Sequence, residues 1–504
     1  MSLKRSAPSP DQALRTFLMA GAALALPLYG AASAQEDSVT TRHELEAGSL
    51  DLDYTATAGR LAIRDVETGE ARGHMFYVAY RVPGEENRPV AFIWNGGPGA
   101  PATILHFEIA GPVRVENAAL VDNAQSWLSD MDLVFVDPIG TGFSRPAKAE
   151  YAAEFYGTLG DIASAAEFVR AWRIENEAVD APVILAGESW GAVRVASVAH
   201  ALEERGIAVD GLSLISGGSG LEAGEEAETL IGALRIVNFA RTAFHYGLTA
   251  PETGDTREAV EARAEAWVRD TYAPALARIE TLSPTERETI AAELTALIGL
   301  DPDEIDTATL QITTRAFRER LLGGARLNIF DMRLNTGQDR APAGVDSVED
   351  EILDYLRYEL NYASTLPYIG LEDWSDGYAP GGETPSGPGA RWNYATGPVT
   401  EAEYQAAIEE AIRRGDGPPR IGPPLPSTAD ALALNPSMRV LVASGAYDSL
   451  ANCAGYEELA AQQSDAVRAS VTFNCYEGGH MMYRDGPVLE AFSEDMRALA
   501  RRLN

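Results

Sequence analysis

Short apolar runs alternate along the chain with longer amphipathic stretches. The runs are rich in β-branched and apolar residues and are bounded by glycine or proline, which is typical of strands buried on both faces of a parallel sheet. They occupy residues 90–94, 133–137, 183–186, 212–216 and 439–443. Helical periodicity occurs at 162–175, 191–205 and 487–503. This alternation predicts an α/β protein with a mostly parallel central sheet and helices on both faces.

The segments outside this alternation predict the domain organisation. Residues 50–64 and 73–82 alternate between apolar and polar, which predicts an antiparallel meander with a turn at Ala58-Gly59. The strand–helix alternation stops near Gly220 and resumes near Met438. We therefore interpret residues 221–437 as one large insertion, or cap domain, between two parts of the core at 35–220 and 438–504. Helical patterns at 224–246 and 256–281 open the insertion, and glycine and proline are frequent later; the pattern leaves open whether it forms one lobe or two.

The first 34 residues are typical of a signal peptide. Basic residues precede a short apolar run at 17–28, and Ala32-Ser33-Ala34 offers a cleavage site before Gln35. The run is short for a bilayer span, which takes about 20 residues; an uncleaved anchor helix is the alternative. We expect export to the periplasm or out of the cell, with no membrane association after cleavage.

Composition excludes several classes of partner and cofactor. The 504 residues include 40 lysines and arginines against 75 aspartates and glutamates, a formal net charge of −35. Such a surface repels the phosphates of nucleic acids and of anionic membranes. Two cysteines are too few for a structural zinc site, no two histidines stand at metal-ligand spacing, and no phosphate-binding loop is present. We expect no metal and no cofactor.

The strongest local signal for chemistry is Gly187-Glu188-Ser189-Trp190-Gly191. It directly follows one predicted strand and directly precedes a predicted helix. In that context a sharp turn lifts the serine hydroxyl clear of the sheet, and only glycines fit beside it. We predict that Ser189 is a catalytic nucleophile. Ser144 is a rival serine, but it lacks the flanking glycines and is expected to shape a loop.

A serine nucleophile requires a base and an acid, which in this type of fold follow it as acid and then histidine. The chain has six histidines: His43, His74, His106, His200, His245 and His480. Of the three that follow Ser189, only His480 comes after a predicted strand (470–476) and a Gly-Gly turn. Asp448 follows the strand 439–443 in the same way. We predict Asp448 as the acid that orients the imidazole of His480.

The two cysteines flank these residues. Cys453 lies five residues after Asp448, and Cys475 lies five residues before His480. A disulfide between them would hold the acid loop and the histidine loop together in an oxidising compartment; two buried free thiols are the alternative. We favour the disulfide.

Asn95-Gly96-Gly97-Pro98-Gly99 follows the predicted strand 90–94. A loop in this position supplies one N–H of the oxyanion hole in α/β-hydrolases, and the residue after the nucleophile supplies the other. Gly97 and Trp190 are the candidates for these two amides. A merely tight turn would suit the same glycines.

Four motifs together resemble the serine carboxypeptidase family, peptidase family S10, in an exported form of bacterial type. They are residues 94–99, residues 137–144, residues 187–191, and Asp448 to Asn452 together with Gly479-His480-Met481. The resemblance implies an α/β-hydrolase fold with a helical insertion over the active site. It also implies release of C-terminal residues from peptides through an acyl-enzyme.

The resemblance further implies a site for the carboxylate at the end of the peptide, formed by Asn95, Glu188 and the amide of Gly96. The family's second glutamate aligns with Ile109, one position from Glu108, which is a candidate substitute. Glu188 repels a carboxylate unless the two share a proton, so peptide hydrolysis is expected to be favoured at acidic pH. The alternatives are an esterase or acyltransferase on the same triad, and a non-catalytic binding protein on a hydrolase fold.

Overall fold

A ten-stranded sheet forms the centre of the protein. The computed structural model describes residues 38–84, 87–336, 344–370, 389–415 and 419–503, so the predicted signal peptide lies outside the described residues. The strands are β1 (Val39–Ala47), β2 (Leu50–Arg64), β3 (Ala71–Arg81), β4 (Val90–Trp94), β5 (Val113–Glu116), β6 (Ala119–Asp122), β7 (Asp132–Val136), β8 (Arg145–Pro146), β9 (Val183–Glu188), β10 (Gly211–Ile215), β11 (Arg439–Gly445) and β12 (Val471–Tyr476).

The strand order is β1-β2-β3-β7-β4-β9-β10-β11-β12; β8 pairs with β3, and β5 and β6 form a separate hairpin. Strands β7, β4, β9, β10, β11 and β12 pair in parallel, whereas β1, β2 and β3 are antiparallel to their neighbours. The predicted mostly parallel sheet is confirmed. Because the carboxyl ends of parallel strands lie at one edge, the loops after β4, β9, β11 and β12 meet there.

Helices cover both faces of the sheet. They are α1 (Thr103–Leu105), α2 (Ala152–Phe155), α3 (Thr158–Glu175), α4 (Trp190–Glu203), α5 (Glu225–Ala233), α6 (Arg235–His245), α7 (Arg257–Trp267), α8 (Ala273–Ala277), α9 (Pro284–Ile298), α10 (Thr314–Arg320), α11 (Glu349–Asp354), α12 (Glu401–Arg414), α13 (Thr428–Leu434), α14 (Cys453–Ala461), α15 (Asp465–Ser470) and α16 (Gly486–Arg501). Successive side chains of a strand point to opposite faces. Accordingly, Phe92 packs in the apolar cluster of Trp172 in α3, and Ile93 packs in that of Phe492 in α16.

The predicted turn at Ala58-Gly59 is wrong. Strand β2 runs straight through it, with Ala58 paired to Val39 of β1 and to Val78 of β3. Strand β1, which the sequence pattern did not reveal, makes β2 an interior strand. Because both edges of β2 are paired at Ala58, its backbone groups find partners only in the extended conformation.

The predicted long helices of the insertion are interrupted. The helix expected at 224–246 divides into α5 and α6 at Leu234, and the one expected at 256–281 passes through a π-helical turn at Val268–Tyr272. Residues between 233 and 332 enclose an apolar core of their own. Later residues instead join the cores against the sheet, Val345 to Tyr362 on one face and Ala431 and Leu432 on the other. The domain boundaries at 220 and 437 stay a prediction.

No helix within the described ranges is both long enough and apolar enough to cross a bilayer.

Candidate active site

Ser189 lies at the turn between β9 and α4 in a strained conformation. Its φ is 57° and its ψ is −121°, a region that non-glycine residues seldom occupy and that clusters at functional sites. The flanking glycines leave no room for a side chain: a Cβ on Gly187 would lie 2.1 Å from the carbonyl oxygen of Gly191, and one on Gly191 would lie 2.9 Å from that of Trp94. Local packing therefore requires the Gly-x-Ser-x-Gly spacing.

Asp448 and His480 meet after β11 and β12. The Nδ1 atom of His480 lies 2.7 Å from Oδ2 of Asp448, and both side chains are almost fully buried. Burial opposes a charge on the imidazole, but the negative charge and hydrogen bond of Asp448 outweigh burial and raise the pKa of His480 above its usual value. The carboxylate thus stabilises the protonated imidazole, which is what a general base needs when it accepts a proton.

Backbone contacts bring the histidine loop to the serine turn. The amide of Ser189 donates to the carbonyl oxygen of Ile215 at 2.8 Å. The next residue, Ser216, donates its hydroxyl to the carbonyl oxygen of His480 at 2.5 Å. The insertion also contributes, since the amide of His480 donates to the carbonyl oxygen of Phe330 at 2.6 Å. These bonds place His480 between the end of β10 and the insertion, on the side of the sheet edge that carries Ser189.

The predicted disulfide is present. Cys453 and Cys475 are bonded, with their Cα atoms 6.0 Å apart. Cys453 begins α14, immediately after the loop that carries Asp448, and Cys475 pairs with Ser444 across β11 and β12. The covalent link therefore joins the two loops that carry the acid and the histidine.

The glycine loop after β4 packs directly on the serine turn. A Cβ on Gly96 would lie 2.7 Å from both Cβ of Ser189 and the amide nitrogen of Trp190. Gly97 follows with a φ of 101°, a value that favours glycine. Within residues 90–100 only Gly97 is partly exposed, and within residues 183–192 only Ser189 is. Solvent therefore reaches the serine and the neighbouring glycine and little else around them.

Buried polar contacts anchor this loop. Arg194 of α4 donates to the carbonyl oxygen of Asn95 at 2.8 Å and pairs with Asp161 of α3 at 2.6 Å, with both charged side chains inaccessible to solvent or nearly so. Asp137, which follows β7, accepts the amide of Ala102 at 2.8 Å. Burial raises the pKa of Asp137 to about 7.

Glu188, which precedes Ser189, has a buried carboxyl group that accepts hydrogen bonds from two side chains. Its Oε2 accepts the side-chain amide of Asn95 at 2.5 Å, and its Oε1 accepts the hydroxyl of Tyr483 at 2.6 Å. Burial raises the pKa of Glu188 to about 6, which the charge of His480 and the hydrogen bond of Tyr483 partly offset. The group therefore changes its protonation state close to neutral pH.

Glu108 lies close to Glu188. Ile109, the position that aligns with the family's second glutamate, is instead fully buried in the apolar core. Both oxygens of Glu108 accept from Arg484, each at 2.7 Å, and Oε1 also accepts the amide of Val345 at 3.0 Å. Glu108 sits in a π-helical turn, His106–Ala110. Its negative charge raises the pKa of Glu188, and the positive charge of Arg484 lowers it.

Sequence reasoning missed four residues of this site: Ser216, Phe330, Tyr483 and Arg484. Tyr483 and Arg484 stand three and four residues after His480, so their closeness to the histidine was visible in the sequence. Their partners Glu188 and Glu108 lie 295 and 376 positions away, and nothing local indicates those contacts. Across the described part of the chain, no group of three or more His, Cys, Asp or Glu side chains is arranged to hold a metal ion.

A family model for serine carboxypeptidases matches residues 57–208. This part of the chain is similar to serine carboxypeptidases. The matched segment holds the glycine loop, Glu188 and Ser189, and the resemblance seen in the sequence is confirmed.

Curated proteins match the chain over a stretch of similar length. The pheromone-processing carboxypeptidase kex1 of Aspergillus niger is 33% identical over 149 residues, which is 29% of this chain and 24% of that protein. The kex1 protein of Talaromyces stipitatus is 30% identical over 144 residues, 28% of this chain and 23% of that protein. The chain thus spans about a quarter of the length of the curated relatives it matches.

A solved structure extends the likeness in fold to almost the whole chain. The prohormone-processing carboxypeptidase Kex1(Δ)p of Saccharomyces cerevisiae covers 89% of this chain, and 91% of that chain is covered, at a TM-score of 0.50 and 17% identity. The α/β-hydrolase fold predicted from the sequence is confirmed.

Proposed function

We propose that the protein is an exported serine carboxypeptidase that releases C-terminal residues from peptides through an acyl-enzyme on Ser189. The observation that carries the proposal is the buried pair of Asn95 and Glu188, which joins the nucleophile turn to the glycine loop. A peptidase that cuts inside a chain has no use for a titratable carboxyl group there, whereas an enzyme that holds a terminal carboxylate does. The Cys453–Cys475 disulfide supports export, because such bonds persist in oxidising compartments.

In the proposed first step, Ser189 attacks the carbonyl carbon of the last peptide bond. Its proton passes to His480, whose cation Asp448 stabilises. The amides of Gly97 and Trp190 bind the oxyanion, and each such donor contributes about 3–4 kcal/mol of transition-state stabilisation in comparable enzymes. The imidazolium then protonates the leaving amino group. In the second step His480 removes a proton from water, which hydrolyses the ester on Ser189.

The terminal carboxylate of the peptide would lie against Asn95, the amide of Gly96 and Glu188. An ionised Glu188 repels this carboxylate, whereas a protonated Glu188 donates a hydrogen bond to it. Arg484 neutralises Glu108 nearby, so Glu108 adds little net repulsion. One proton on Glu188 is therefore sufficient for the carboxylate to bind.

The pH dependence of hydrolysis is expected to differ between two kinds of substrate. Glu188 has a pKa of about 6, so above that pH the protonated fraction falls, and KM for a peptide acid rises as much as about tenfold per pH unit. His480 must be neutral to act as base, and its protonation in acid lowers the rate for both substrates alike, so the ratio of kcat/KM for the peptide acid to that for the ester reports Glu188 alone. A blocked ester needs only the neutral histidine and reaches a plateau. Steady-state kinetics from pH 4 to 9 on both substrates measure this, and parallel profiles would exclude the role of Glu188.

The function itself is tested with one blocked dipeptide in two forms, as the free acid and as the C-terminal amide. We expect kcat/KM for the acid to exceed that for the amide by more than 100-fold at pH 5.5, since a lost charge-assisted hydrogen-bond network at this site costs several kcal/mol. Equal rates for the two forms would exclude recognition of the terminal carboxylate, and turnover of an ester without cleavage of either peptide would indicate an esterase or acyltransferase. No turnover of any ester or peptide would indicate a binding protein.

A further inference from the structure

Tyr483 is the one aromatic hydroxyl bonded to the proposed carboxylate site among the described residues. It lies in a short turn, Met482–Arg484, between His480 and α16, and only 1% of it is exposed. Its hydroxyl lies 2.6 Å from Oε1 of Glu188. Neither catalysis by the triad nor oxyanion binding uses this hydroxyl, so its burial beside a titratable carboxyl group calls for another role.

The carboxyl group of Glu188 is held from both sides. Asn95 donates to Oε2 and Tyr483 donates to Oε1, so rotation of the carboxyl plane breaks at least one hydrogen bond. We propose that Tyr483 is a positioning residue for Glu188: its hydroxyl fixes the carboxyl plane, so that the proton shared with the terminal carboxylate of the peptide points in one direction. The inference rests on the proposed function and adds a residue to its substrate site.

The surroundings of Glu188 indicate what this hydroxyl does to the carboxyl group. The charged and titratable groups that face Glu188 are His480 and Arg484, which favour its ionised form, and Glu108, which disfavours it. The hydroxyl of Tyr483 donates to the ionised form and lowers the pKa of Glu188 against the larger effect of burial. Tyr483 itself stays protonated, since burial raises its pKa well above the usual value.

Replacing the hydroxyl donor is therefore expected to move the pH profile in a defined direction. In Tyr483→Phe the ring still fills its place, but ionised Glu188 loses a donor. The alkaline limb of the ratio of kcat/KM for a peptide acid to that for a blocked ester moves up by about one pH unit, because a hydrogen bond to a charged group is lost. The profile for a blocked ester stays unchanged. If Tyr483 only supported the fold, its replacement would instead lower kcat/KM for both substrates at every pH.

The matched control is Tyr272→Phe, which removes another buried hydroxyl, one that donates to the carbonyl oxygen of Leu310 at 2.7 Å within the insertion. It should leave the pH profiles of both substrates unchanged. If Tyr483→Phe fails to fold, 3-fluorotyrosine at position 483 is measured: a more acidic hydroxyl is a stronger donor and should move the limb down.

The outcomes separate the two proposals. If the wild-type enzyme does not prefer the acid over the amide, the proposed function fails. If it does prefer the acid, and the limb stays within 0.2 pH units (about a fifth of the smallest shift that loss of such a donor gives) in Tyr483→Phe or with the fluorinated residue, the role of Tyr483 is overturned and the function stands. A shift in the predicted direction that is absent from Tyr272→Phe supports the inference.

Discussion

Ser189→Ala is expected to lower kcat for peptides on the order of 10⁶-fold, the loss typical of removing the nucleophile of a serine triad. The fold should be unaffected. Alanine has the same Cβ as serine, so the strained backbone at φ 57° costs the same in both. We expect an unchanged melting temperature by circular dichroism and no labelling by a fluorophosphonate probe.

Ser144→Ala is the matched control for this variant. The Ser144 hydroxyl is buried; it donates to the carbonyl oxygen of Asp137 at 2.8 Å and accepts the amide of Phe76 at 2.7 Å. Its loss leaves that amide without its partner, which costs about 1–3 kcal/mol of folding free energy. Ser144→Ala should therefore lose stability and keep turnover, the reverse of Ser189→Ala. Residual activity above about 1% in Ser189→Ala would contradict its role as nucleophile.

Arg194→Met is expected to have the largest effect on stability. The Arg194 side chain is fully buried and compensates the charge of Asp161, so the variant leaves an unpaired buried carboxylate and should cost about 3–5 kcal/mol. Burial already raises the pKa of Asp161, and Arg194 counteracts that rise. Without Arg194 the folded-state pKa rises further above the unfolded value. The loss is then greatest at neutral pH and becomes smaller as acid protonates Asp161.

Urea denaturation at pH 7 and pH 5 measures this effect. Asp161→Asn combined with Arg194→Met removes the unpaired charge, so the double variant should recover part of the stability and lose most of the pH dependence. A cost below 1 kcal/mol in Arg194→Met at pH 7, or the same cost at both pH values, would show that Asp161 is not held as an anion by Arg194.

How much of the structure the sequence predicts depends on how far apart the contacting residues lie along the chain. The turn at Ser189 follows from one contiguous strand, turn and helix, and its two glycines are required by contacts within the turn and with the strand next to it. The disulfide was predictable because each cysteine lies near one residue of the proposed triad. Both kinds of feature leave a signal within a few residues.

Features that depend on distant partners left no such signal. The extended conformation at Ala58 depends on β1, whose mostly polar pattern did not indicate a strand, and the Ala-Gly pair by itself favoured a turn. The contacts of Tyr483 with Glu188 and of Arg484 with Glu108 form only because β9, the π-helical turn His106–Ala110 and the loop after β12 meet at one edge of the sheet.

A carboxypeptidase differs from other serine peptidases in where it cuts a peptide. Mass spectrometry of one ten-residue peptide, supplied as the free acid and as the amide and incubated at pH 5.5 with wild-type protein or Ser189→Ala, measures this directly. We predict a ladder of products that each lack one more C-terminal residue, from the acid form and the wild-type protein only. Internal fragments, or an equal ladder from the amide, would contradict the account.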